Sequence, residues 1–91
     1  VFANTLEVVL AQKVSVASID ISVDCNDEYQ VAGLRNNEWI PLTTINPSRS
    51  AKGLARSLNI LPNTVADVEK IRITGKSGDG YYSLGHLLLN P

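Results

Sequence analysis

An all-β fold, an antiparallel β-sandwich of about seven strands, is what this sequence predicts, and three observations carry that expectation. Short runs rich in Val, Ile, Leu and Thr alternate apolar with polar side chains, the period of a half-buried strand. Clusters of Asn, Asp, Gly and Pro interrupt these runs every eight to twelve residues or so, the spacing typical of sandwiches. No stretch shows a convincing helical periodicity, so no layer of helices is available to cover a sheet.

Residues 5–11 open the series, with Leu6, Val8 and Leu10 on one face. Gln12-Lys13 reads as a short polar connection. Residues 14–24 form the second strand, where Ile19, Ile21 and Val23 alternate cleanly with Ser18, Asp20, Ser22 and Asp24. The alternation slips near Ala17-Ser18, which predicts a β-bulge there. Residues 24–27 are a turn by composition. The third strand covers 28–34, with Tyr29, Val31 and Gly33 facing one way, and a hairpin loop over 35–38 leads into a fourth strand over 39–45. Pro41 has no N–H to give a ladder, so that strand belongs at a sheet edge or is interrupted there.

Residues 46–53 make the one long irregular connection. In 54–61, Leu54, Leu58 and Leu61 fit helical spacing, while Leu54, Arg56, Leu58 and Ile60 fit a strand; the β surroundings favour a strand. Pro62-Asn63-Thr64 breaks it. A sixth strand spans 68–75 and the last spans 82–89.

The 91 residues make one domain, 1–91, and the absence of any methionine suggests a segment of a larger protein. A net charge of −1 argues against a nucleic-acid binder. No apolar run reaches the roughly 20 residues of a membrane-spanning helix, so no membrane insertion is expected. With a single Cys and a single His, an internal disulfide and a Cys/His zinc site are excluded.

Val68-Glu69-Lys70-Ile71-Arg72-Ile73-Thr74-Gly75, followed by Gly80-Tyr81-Tyr82-Ser83-Leu84, resembles the closing motif of discoidin domains. These are the coagulation factor 5/8 C-terminal (F5/8 type C) family, within the galactose-binding-like jelly rolls. Asp27 to Val31, Asn37-Glu38-Trp39 and Leu6 to Leu10 resemble the family's earlier strands, hairpin and tryptophan. The resemblance implies a jelly-roll sandwich, N-terminally short by the family's opening strand, serving as a non-catalytic, lectin-like accessory module in an extracytoplasmic or secreted setting. His86 stands where the family places an acid after Ser-Leu, and imidazole is a poor calcium ligand, so no metal or other cofactor is expected.

Antiparallel strands send their connections alternately to opposite ends, so 24–27, 46–53 and 76–81 should gather at one end. Loops on a rigid scaffold are where binding resides. The candidate ligand-binding residues there are Asn26, Asp27, Arg49, Asp79 and Tyr81: hydrogen-bonding groups beside one aromatic ring. Arg49, Lys52 and Arg56 could instead meet an anionic sugar, Trp39 is expected to pack, and Arg72 is expected to pair with a carboxylate of a neighbouring strand. Asp24, Asp27 and Glu28 form a turn rather than a catalytic cleft, His86 has no nucleophile beside it, and no enzyme is expected. The expected partners are a carbohydrate or other domains of the parent protein. Leu87-Leu88-Leu89, apolar on both faces, also marks a strand through which the chain could oligomerise. The alternative function is a structural or protein-interaction domain with no small-molecule ligand.

Overall fold

The computed structural model describes residues 5–24, 28–46, 54–77 and 84–91. They form a single antiparallel sheet of five strands: β1 (Thr5–Asp24), β2 (Glu28–Arg35), β3 (Glu38–Ile45), β4 (Leu54–Ser77) and β5 (Leu84–Asn90). The strand order is β3-β2-β4-β1-β5. The predicted first and second strands are joined into β1, and the predicted fifth and sixth into β4, so five strands stand where about seven were expected. Residues 54–61 are strand, as their surroundings suggested.

Both long strands bend. At about 3.3 Å per residue, a straight strand as long as β1 would reach roughly 66 Å. The longest dimension of the molecule is 34 Å. The bends lie where the β1–β4 register slips. Along the ladder, Val9 pairs with Lys70, Val14 with Val68, Val16 with Val65 and Ser18 with Ile60. The extra residues fall first in β1, around Gln12-Lys13, and then in β4, around Pro62-Asn63-Thr64. Bulged residues of this kind bend a strand and free it from ladder bonding, which is where a proline fits. Asp67, in the same corner, takes a left-handed backbone, φ 59°. The polar clusters that looked like strand ends are therefore corners, and the slip predicted near Ala17-Ser18 is one of them.

The bends divide the sheet into two arms. The broad arm holds β3, β2, residues 70–77 of β4 and 5–9 of β1. The narrow arm holds residues 54–60 of β4, 18–24 of β1 and β5. Asp24 and Glu28 lie at corresponding ends of the two arms, and four Cα steps hold them within about 15 Å of each other. One hydrophobic cluster draws on both: Val16, Ile19, Ile21 and Val23 of β1, Tyr29 and Val31 of β2, Leu42 and Ile45 of β3, and Leu61, Val68, Ile71 and Ile73 of β4. Each such aliphatic contributes about 1.5–3 kcal/mol when fully buried.

Gly33 faces this core with Tyr29 and Val31, as the alternation indicated. A β-carbon on it would stand 3.1 Å from Val68 Cγ1 and 3.2 Å from Leu42 Cδ1, so the site is cut to the size of glycine. The β2–β3 hairpin turns on Asn36 and Asn37, at φ 50° and 62°. Two consecutive positive angles make the tight primed turn that matches strand twist, and Asn tolerates it best after Gly. β3 is an edge strand, as Pro41 required, and a register shift beside Pro41 leaves Leu42 as an extra residue directed into the core.

Candidate functional site

The outer face of the broad arm carries a row of interacting side chains across β3, β4 and β1. Leu34 pairs with both Trp39 and Lys70, and Ala32 with both Pro41 and Arg72. Trp39 therefore reaches Arg72 diagonally, past the small side chain of Ala32. The Arg72 guanidinium carbon lies 3.8 Å from the centre of the indole ring, a cation–π stack. Its other side meets Glu7 on β1, with Nη2 and Nε donating to Oε2 at 3.2 and 3.3 Å. The expected carboxylate partner of Arg72 is thus found across a strand pair, and Trp39 packs as expected, with a cation as its neighbour.

Beside this row an open groove of about 460 Å³ runs along the β2–β3 edge, lined by Gln30, Val31, Ala32, Trp39, Pro41, Leu42, Thr43 and Thr44. The β3 bulge shapes it by turning Leu42 inward and leaving Pro41 and Thr44 outward. Bulges commonly re-aim side chains at binding surfaces. The lining joins one aromatic ring, one carboxamide and two hydroxyls with no ionisable group. Such a set offers hydrogen bonds in both directions and an apolar wall without attracting either sign of charge. Gln30, Thr43 and Thr44 were not singled out from the sequence. Their signal was the alternation of β2 and β3, which puts Gln30 and Thr44 opposite one another on the Trp39 face.

Asn26, Asp27, Arg49, Asp79 and Tyr81 all lie outside the described residues. The strand ends that flank them are described. Asp24 pairs with Leu54, and Val23 with Leu84, on the narrow arm; Glu28 pairs with Ser77, and Tyr29 with Ile45, on the broad arm.

The outer face of the narrow arm is different in kind. Arg56 grips Asp20 through two hydrogen bonds, Nε to Oδ1 at 2.9 Å and Nη2 to Oδ2 at 2.7 Å. These bonds hold the Asp20 carboxyl below its ordinary pKa and raise that of Arg56. Arg56 is committed, so of the three basic residues considered for an anionic sugar it is already neutralised. His86 is exposed on β5, opposite Ser22. Among the described residues, no group of His, Cys, Asp and Glu is placed to hold a metal ion. Leu87 and Leu89 pack against the core, and Leu88 faces outward.

The chain matches no protein-family model, no curated protein and no solved structure.

Proposed function

We propose that this chain is a non-catalytic carbohydrate-binding module, in which the bent sheet acts as a jelly-roll-type β-sandwich of the discoidin-like kind and presents a neutral sugar to its broad arm. The observation that carries the reading is the groove beside Trp39, with its uncharged lining of Gln30, Thr43 and Thr44. A pyranose has an apolar C–H face and a rim of hydroxyls. The indole ring suits the face, and carboxamide and hydroxyl groups suit the rim. The groove ends at Thr44, and Asn26, Asp27, Arg49, Asp79 and Tyr81 stay as further candidate contacts in this reading. Contacts this few give weak single-site affinity, useful when several modules act together.

Trp39 is the sole tryptophan, so its fluorescence reports on the groove without interference. Titration with neutral oligosaccharides should give a saturable change, and amide NMR shifts should cluster on β2, β3 and the three connections. Gln30→Ala and Thr44→Ala, both at exposed positions, should weaken binding about tenfold or more between them, as lost hydrogen bonds do. Absence of any shift at millimolar sugar would overturn the proposal.

A structural, protein-interaction reading is favoured by a separate observation, the apolar side chains turned outward on the narrow arm. In it the chain needs no small-molecule ligand.

A further inference from the structure

Residues 57–60 of β4 are built inside out. Their partners Ile19 and Ile21 face the core, which puts Asn59 and Ser57 on the inner side and Leu58 and Ile60 on the outer side. Leu58 is 60% exposed and Ile60 77% exposed. The inward polar groups are satisfied locally, since Asn59 Nδ2 donates to Ser57 Oγ at 3.0 Å and to the Ile19 carbonyl at 3.4 Å. A strand buried on one face normally shows the opposite polarity, because a shift of one residue would exchange the two faces.

The same stretch is an open edge among the described residues. β2 pairs with β4 only over residues 70–77, so 54–60 pair with β1 alone. Sheet edges are normally blunted by proline, charge or bulges. The β3 edge has Pro41 and a bulge, and the β5 edge has a register shift near its start. Between Leu54 and Leu61 the only charge is Arg56, already neutralised by Asp20.

We propose that this edge pairs antiparallel with the same edge of a second copy of the chain, about a two-fold axis at Leu58. Pro62 limits the usable edge, because it cannot donate to a new ladder. An axis at Leu58 uses residues 55–61 and stops just short of it. Leu58 then faces its own copy, Ile60 faces the alkyl stem of Arg56, and Ser57 faces Asn59. The outer pairs thus match leucine with leucine and isoleucine with an alkyl stem, the Ser57–Asn59 pair matches polar with polar, and no like charges stand opposite each other. A self-complementary patch of this kind is what an isologous dimer requires. Main-chain hydrogen bonds along the new ladder supply the affinity, as in other strand additions.

Sedimentation equilibrium of the full chain between roughly 10 µM and 1 mM tests this, the range in which small interfaces associate. A monomer–dimer equilibrium is expected. Leu58→Lys places like charges face to face and should weaken it about tenfold or more. Val9→Lys, at an exposed apolar site on the broad arm, should leave it unchanged. Leu58 is largely exposed, so the variant should keep the circular dichroism of the parent. In a Cys25→Ser background, Leu58→Cys should cross-link to its copy with oxidised glutathione, since facing strand residues bring Cα atoms within disulfide range. A monomer throughout the range, or a dimer indifferent to Leu58→Lys, would overturn the proposal.

Discussion

The two arms of the sheet use the same alternation to opposite ends. On the broad arm, Val31, Ile71 and Ile73 turn inward while Gln30, Arg72 and Thr74 turn outward, the usual division for a sheet with one wet face. On the narrow arm, β1 obeys the same rule, but the β4 strand beside it reverses it and shows Leu58 and Ile60 to solvent. Hydrophobicity in a strand therefore does not by itself locate the core. Ile71 and Ile60 belong to one continuous strand, and one is fully buried while the other is among the most exposed large apolar residues described.

That contrast gives the largest expected effect. Ile71→Ala should cost about 2–5 kcal/mol in urea unfolding, the range for emptying a packed aliphatic site. Ile60→Ala in the monomer should stay within about 0.5 kcal/mol, as for an ordinary surface change. Equal losses at the two sites would break the comparison, because they would place Ile60 inside. Next comes the packing limit of the broad arm. Gly33→Ala should cost about 1–3 kcal/mol by crowding Val68 and Leu42. Adding Val68→Ala should recover part of that loss, which a thermal melt of the double variant would show; costs that simply add would mean that the two groups do not meet.

The smallest effect sharpens the view of the narrow arm's outer face. Because Arg56 depresses the Asp20 pKa, the folded state binds that proton less readily than the unfolded chain. The resulting stabilisation is present above the unfolded carboxylate value, near about 3.9, and is lost as pH falls below it. Asp20→Asn should therefore narrow its gap from the parent chain in Tm as the pH is lowered from above to below about 3.9. A gap that does not narrow would mean that the pair contributes nothing to the fold.

Much of the architecture was legible in the chain because its signals are local. Pro41 pointed to an edge or an interruption, residues 35–38 to a hairpin loop, and the slipped alternation at Ala17-Ser18 to a bulge. Gln12-Lys13 and Pro62-Asn63-Thr64 were correctly placed as irregularities but read as ends. A polar break in alternation looks the same whether the strand stops or turns a corner, since both free the backbone from its ladder. The Arg72–Glu7 contact was foreseen in kind, because a strand arginine seeks a cross-strand acid. Its stack on Trp39 was not, since it depends on which strand lies two ladders away and on Ala32 leaving room between them.

The all-β class, the hairpin at 35–38, the disturbance at Pro41 and the inward set of β2 can all be read from the chain alone. Each follows from side-chain period and backbone preference within a few residues. Only the tertiary structure decided that two pairs of runs are single bent strands, that Gln30 and Thr44 share a groove with Trp39, and that Leu58 and Ile60 face away from the core. Those outcomes depend on register between segments far apart in the chain, as in the pairing of Arg72 with Glu7, 65 residues away. The alternation of one strand defines two faces and cannot say which of them another strand will cover.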